Sequence, residues 1–451
     1  MGIVKQLRSY ERSVQLLMVN QFTINLGFYM LMPYLAAHLS GTLGLAGWLV
    51  GLILGVRNFS QQGMFLVGGT LADQFGYKPL IVAGCVLRTV GFVTLGLVDS
   101  LPALLAASAA TGLAGALFNP AVRAYLAADA GERRVEAFAL FNVFYQAGIL
   151  LGPLVGMVLT GVDFRVTCLV AAGIFALLSI VQIRALPARR APDARRGTGK
   201  KTDEKTDEKT DEGSETNTGK KSVLSQWRTV VRNRPFLLFS AAMIGSYVLS
   251  FQVYLALPLE VRRIGGEGPG GTAAVALLFA VSGLSTIVCQ TRVTAWCKEH
   301  LEPGQALARG LLTMGLAFVP LLAPTVVAVP AGGTGRWLLA AVPPMLCALL
   351  LAFGTMIAYP FEMDTIVRLS GDKLVATHYG LYNTICGIGI TLGNLLTGAS
   401  LDAARAAGLS ALPWLVLLAL GAACAAALYG LRRTGRLDTP APAPDAQAAK
   451  A

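Results

Sequence analysis

An all-α membrane protein, with twelve transmembrane helices in two six-helix halves, is the fold class this sequence predicts. Three observations lead there. Of 451 residues, 54% are hydrophobic and 14% are charged, where a soluble protein carries roughly a quarter charged. The apolar residues fall in runs of span length, and in lipid each run must be a helix, because only a helix satisfies its own backbone groups. The basic residues gather between runs on one predicted side, roughly 28 Lys and Arg against about 5 on the other. The excess persists when only short loops are counted, so both termini and the central linker are expected in the cytoplasm.

The first run, near 14–37, follows Lys5, Arg8 and Arg12 and has no small-residue cleavage site. It therefore reads as span 1 and not as a cleaved signal peptide. Spans 2 to 6 are placed near 46–69, 80–98, 102–126, 137–160 and 165–186. Spans 7 to 12 are placed near 236–259, 271–293, 304–328, 337–360, 375–400 and 411–431. The expected organisation is a first half over 1–186, a linker over 187–235, a second half over 236–432 and a cytoplasmic tail over 433–451. The linker carries three Lys-Thr-Asp-Glu tetrads between Lys201 and Glu212. Dense charge without apolar residues cannot bury a core, so disorder is expected there. The Gly-Lys pairs lack P-loop spacing, which leaves direct ATP coupling unsupported.

The halves look related. Asn119-Pro120 in span 4 matches Tyr359-Pro360 in span 10, each expected near the end of its span. Gly148-x-x-x-Gly152 in span 5 matches Gly389-x-x-x-Gly393 in span 11. The shared offset is about 240 residues, as expected of transporters that rock two halves around a midplane site.

The net charge of +12 belongs to topology, and no nucleic-acid partner is expected. Seven cysteines lie mostly inside apolar runs and read as small packing residues. His38, His300 and His378 are too scattered for a metal site. No nucleophile–base or metal constellation falls in the spans, so neither an enzyme nor a cofactor is expected.

Between spans 2 and 3 stands Gly68-Gly69-Thr70-Leu71-Ala72-Asp73-Gln74-Phe75-Gly76-Tyr77-Lys78-Pro79. The glycines permit tight turns, and Asp73 at the membrane edge is suited to face a helix N-terminus. In span 5, Gly148, Gly152 and Gly156 share one helix face for close packing, and Pro153 promotes a kink. By itself such a face is a packing motif.

The first segment resembles the loop 2–3 signature of the major facilitator superfamily, G-x-L-A-D-x-x-G-x-[KR]. Gly69, Leu71, Ala72, Asp73, Gly76 and Lys78 match, while Gln74 and Tyr77 stand where basic residues are usual. The resemblance implies that Gly69 and Asp73 help latch the halves in an outward-facing state. The span 5 pattern, G-x-x-x-G-P-x-x-G, resembles the antiporter signature of drug/proton exporters in the same superfamily. Leu26-Gly27 with Pro33, the stretch Gly55 to Gly63, Lys78 to Val82, and Gln252-Val253 with Leu257-Pro258 extend the likeness over most of the chain outside the linker. One departure is Ser108, which stands four residues before Gly112, where these exporters often carry arginine.

Charged residues inside spans are costly, about 2.5–3.5 kcal/mol for a central arginine on insertion scales, and therefore face protein or water. Arg57 and Arg88 are mid-span. Each is either a cavity cation or a structural residue bonded within the bundle, with Gln61 one turn from Arg57. Arg123, nearer the basic end of span 4, is a further cavity candidate, with snorkelling outward the favoured alternative. Glu362 is the leading candidate for proton coupling, with Asp364 beside it, both following Pro360 at the expected end of span 10. Further candidates for a substrate cavity are Asn25, Tyr29, Asn119, Asn142, Gln146, Gln252 and Asn383, each of which could instead join two helices. The resulting expectation is a monomeric plasma-membrane exporter of small amphipathic drugs or metabolites, coupled to protons. The alternative is a facilitator or importer of a small, possibly anionic metabolite.

Overall fold

The computed structural model describes residues 3–188, 223–265, 269–325 and 334–437. Among the described residues there is no strand, and helices occur throughout. The first half holds span 1 (Arg12–Tyr29, extended by Met32–Ala37), span 2 (Gly47–Phe75), span 3 (Tyr77–Leu97), span 4 (Leu101–Ala130), span 5 (Arg134–Thr160) and span 6 (Phe164–Ala185). The second holds span 7 (Arg234–Phe251, then Ala256–Gly265), span 8 (Pro269–His300), span 9 (Pro303–Leu316, then a 3-10 segment Val319–Thr325), span 10 (Thr334–Ser370), span 11 (Val375–Ala407) and span 12 (Leu412–Arg433). An even number of spans puts both termini at one end of the bundle, called the basic end below.

Nine helical stretches among the described residues are long and apolar enough to cross a membrane, and one of them, Leu101–Thr160, contains both span 4 and span 5. Spans 1 and 2 fall short because they carry Asn20, Gln21 and Asn25, and Arg57, Asn58, Gln61 and Gln62. Asn20, Gln21 and Asn25 are buried, as lipid requires of polar residues in a span, while Asn58 is exposed and accepts from Arg57 of its own helix.

The span ends differ from expectation in an informative way. Span 10 was expected to stop at Pro360 and span 4 near 126, yet both helices continue, to Ser370 and Ala130. Neighbouring helices support the backbone that a buried proline leaves unpaired, so Pro120 and Pro360 do not end these spans. Glu362 is consequently inside span 10.

The repeat is visible in packing. Gly148, Gly152 and Gly156 of span 5 face span 1, where added Cβ atoms would stand 2.6 Å from Asn25 Cβ, 2.7 Å from Tyr29 Cβ and 2.8 Å from Tyr34 Cε2. Gly389 and Gly393 of span 11 face Ile244 and Val248 of span 7 in the same manner. Span 5 on span 1 and span 11 on span 7 are corresponding pairs in a six-plus-six arrangement. Tyr34 donates to the Pro153 carbonyl at 2.7 Å and ties the extension of span 1 to the same face.

The linker expected to be disordered over 187–235 is helical at Val223–Arg232. That segment has apolar residues on one side, which plain counting of charge overlooked. It buries Gln226 and Val230, and the Trp227 indole donates to Thr70 Oγ1 at 2.8 Å. The Lys-Thr-Asp-Glu tetrads and the tail beyond 437 lie outside the described residues.

Candidate functional site: a polar cavity between the halves

A cavity of about 300 Å³ lies between the two halves. Span 1 contributes Tyr29, span 4 Arg123, and span 5 Asn142, Tyr145 and Gln146. The second half contributes Ser246, Tyr247, Ser250, Phe251 and Tyr254 from span 7, Ser282 and Thr286 from span 8, and Thr355, Tyr359 and Glu362 from span 10. Five tyrosines thus surround one cation and one acid. The rings offer apolar faces, and their hydroxyls hydrogen bond at the edges.

Arg123 and Glu362 come from corresponding spans, each within one turn after its span's proline. Glu362 is 1% exposed. It accepts from the Tyr382 hydroxyl at 2.6 Å and from Ser246 Oγ at 3.4 Å, and the Arg123 charge bears on it. Arg123 does not snorkel to the basic end as expected. Its Nη1 donates to Asn383 Oδ1 at 3.0 Å, across to the other half, and it also hydrogen bonds Tyr359. An internal acceptor replaces the water that a snorkelling arginine would seek.

The other cavity candidates divide. Tyr29, Asn142 and Gln146 line the cavity. Asn142 also donates to Gln290 Oε1 at 2.8 Å, so it links span 5 to span 8. Asn25 donates instead to the Tyr145 carbonyl at 3.1 Å. Gln252 is buried and donates to the Val248 carbonyl at 2.8 Å. Asn383 spends its amide on the Tyr379 carbonyl and its oxygen on Arg123. Asn119 is half-buried in span 4 and is not among the lining residues. Arg57, Gln61 and Arg88 sit within the first half and are not among the lining residues. Arg57 donates to Asn58 Oδ1 at 2.6 Å rather than to Gln61.

Asp364 is two residues from Glu362, which on a helix turns it to another face. It belongs to an ion-pair cluster between the halves. Arg134 Nε lies 3.0 Å from Asp364, which is 12% exposed, and Arg134 Nη1 lies 3.0 Å from Asp372. Arg368 pairs with Asp364 at 3.3 Å, and Lys298 pairs with Glu136.

The basic end of the cavity is closed by span 2 against span 11. Asp73 accepts from Thr377 N and Thr377 Oγ1 at 2.7 Å each, and from Ala376 N at 3.2 Å. These donors open span 11, where the first amides have no partner within the helix and favour a negative charge. Gly69 lets the helices meet. A Cβ there would stand 2.7 Å from the Ala376 carbonyl carbon and 3.0 Å from Thr377 Cα. Gly76 turns the chain at φ 93°, and Lys78 donates to the Ile183 carbonyl at 2.7 Å, bracing span 6. Thr384 donates to the Gln62 carbonyl at 3.2 Å, which continues the seam inward.

Sequence reasoning found Tyr29 but missed the other four cavity tyrosines and the cross-half partners of Asp73, Arg134 and Asn142. Tyr145 was within reach, since it stands three residues after Asn142 on the same face. The cross-half partners have no sequence signal. Among the described residues no cluster of three His, Cys, Asp or Glu is placed to hold a metal, and the seven cysteines are free thiols, five of them buried.

Comparison with known proteins agrees with this architecture. The chain is 51% identical over 439 residues to an uncharacterized MFS-type transporter of Mycobacterium tuberculosis, covering 97% of this chain and 96% of the relative. It is 27% identical over 421 residues to multidrug resistance protein MdtH of Shigella dysenteriae, covering 93% and 94%. Among solved structures, a peptide transporter in complex with sulfate superposes with a TM-score of 0.64 at 16% identity, covering 97% of this chain and 99% of that one. A human organic anion transporter superposes with a TM-score of 0.62 at 16% identity, covering 94% and 98%. At that identity both show the fold alone. The family model for the Major Facilitator Superfamily matches residues 17–394, and the chain therefore belongs to that superfamily of multi-pass membrane transporters, which are not enzymes.

Proposed function

We propose that the protein exports small amphipathic compounds from the cell by proton antiport and alternating access. The observation that carries this reading is Glu362, a buried acid that opens on a tyrosine-lined cavity and lies within reach of the Arg123 charge. An acid so placed can exchange a proton as access and neighbouring charge change. The aromatic walls suit a compound with an apolar body, and the likeness to the multidrug resistance protein MdtH supports the same reading.

The excess of Lys and Arg supports a cytoplasmic basic end and a plasma-membrane location. In that orientation Asp73 and Gly69 latch the cavity shut toward the cytoplasm. Loading from the cytoplasm then requires the seam of spans 2 and 11 to part, while the span 5 and span 11 glycine faces keep each half intact. The cycle needs one protomer. One charge crossing about 150 mV releases about 3.5 kcal/mol, enough for a gradient of a few hundred-fold at 1.4 kcal/mol per decade.

The test is drug accumulation in proteoliposomes under an imposed pH gradient. Accumulation should follow the gradient and reverse with it, and Glu362→Gln should retain binding but lose the gradient dependence. Accumulation that ignores the gradient refutes antiport, and unchanged dependence in Glu362→Gln removes that residue from coupling. Entry of an organic anion without a proton gradient would favour the alternative importer, a reading that draws on the uncompensated Arg57 and Arg88.

A further inference from the structure

Two arginines of the first half are unused by the cavity. Arg57 is mid-way along span 2 and Arg88 mid-way along span 3. Their guanidinium carbons stand 5.0 Å and 4.9 Å from the centre of one ring, Phe28, and Arg88 also lies 5.4 Å from Phe175. One aromatic ring thus serves two cations.

Neither cation has a carboxylate partner among the described residues. The ionisable groups that bear on Arg88 are Cys85, Arg57, Tyr29 and Tyr145, and on Arg57 the phenol of Tyr29. Arg88 is 7% exposed, and its Nε is buried without a hydrogen bond. A Cβ added at Gly115 would stand 3.2 Å from both Arg88 Nη2 and Gln61 Nε2. That is tighter than ordinary contact, so these two donors converge on the bare Gly115 backbone. A ring face offsets only part of one cation's lost hydration, and two like charges sharing it repel. A buried charge is ordinarily paired.

We propose that Arg57 and Arg88, held on the Phe28 ring, form a binding site inside the first half for a compact monovalent anion, either a halide or the carboxylate of an organic solute. Neither arginine lines the cavity of Arg123 and Glu362, although Tyr29 and Tyr145, which do, border the site; the site does not depend on the direction of transport or on proton coupling. The anion supplies the missing negative charge and receives the Arg88 Nε–H that protein atoms leave free.

Thermal unfolding of the purified full chain tests this, at constant pH and ionic strength, in sodium chloride, sodium acetate, or sodium isethionate as a bulky reference. A ligand that binds only the folded state raises the midpoint by mass action. Chloride or acetate at 100 mM should raise it by roughly 3 °C over isethionate, saturably. A rise with chloride alone assigns the site to an inorganic halide, and a rise with acetate alone to a solute carboxylate. Arg57→Gln and Arg88→Gln should each abolish the rise while melting no lower than the parent in isethionate, because each removes an uncompensated charge. If Arg88→Gln does not fold, Arg88→Lys should still show the rise with an anion midpoint about tenfold higher. Equal melting in all three salts overturns the proposal, and so does a rise that survives the substitutions undiminished.

Discussion

Substituting Gly69 by alanine should unlatch spans 2 and 11. The added Cβ would stand 2.7 Å from the Ala376 carbonyl carbon, where carbon atoms rest at about 3.5 Å or more. Both neighbours are backbone, so no rotamer change relieves the clash, and the helices must part by about 0.8 Å or more at that level. The 2.7 Å bonds from Thr377 to Asp73 then stretch to about 3.5 Å, beyond a hydrogen bond. Bonds to a charged acceptor contribute about 1.5–3 kcal/mol each. Because three donors share one carboxylate, the combined loss is taken as about 2–4 kcal/mol. The closed end should therefore open about 30- to 1,000-fold more often. Hydrogen–deuterium exchange reads this directly. The amides of Ala376 and Thr377 lie in the first turn of span 11, so Asp73 is their only acceptor and their protection reports the latch. Exchange should quicken at least 30-fold in Gly69→Ala. Gly63→Ala on the same helix, where a Cβ meets nothing within 4 Å, should leave it unchanged. Protection that stays within about threefold of the parent would refute the close-contact reasoning.

Two further outcomes follow from the same geometry. Gly156→Ala puts a Cβ 2.8 Å from Tyr34 Cε2 and from the Met30 carbonyl carbon. It should cost about 1–3 kcal/mol by overpacking, seen as a lower melting temperature, while Gly173→Ala, which meets nothing within 4 Å, should not. Arg134→Ala removes the pairs to Asp364 and to Asp372, which is 66% exposed. It should speed Ala376 and Thr377 exchange less than Gly69→Ala does, because Arg368 still pairs with Asp364. High salt should reproduce only the part owed to Asp372, the more solvent-exposed partner.

Much of this protein is determined by local sequence. A run of apolar residues in lipid has no choice but a helix, so the spans were legible from composition and length. The glycine faces of spans 5 and 11 were legible from spacing of four, and the fitness of Asp73 for a helix N-terminus from its place at a membrane edge. Tertiary structure decided which N-terminus, because Thr377 is about 300 residues away and no periodicity links it to Asp73. It likewise decided that span 10 runs on through Pro360, since only neighbouring helices can support a backbone that has lost a donor. The buried polar residues show the division most plainly. In sequence Asn25 and Gln252 read alike as cavity or helix-joining groups, Arg123 as drawn outward, and Glu362 as a proton-coupling candidate near a span end. Only the packed bundle assigns Asn25 and Gln252 to backbone carbonyls and brings Arg123 and Glu362 to one cavity, because a partner's identity depends on which helix faces which.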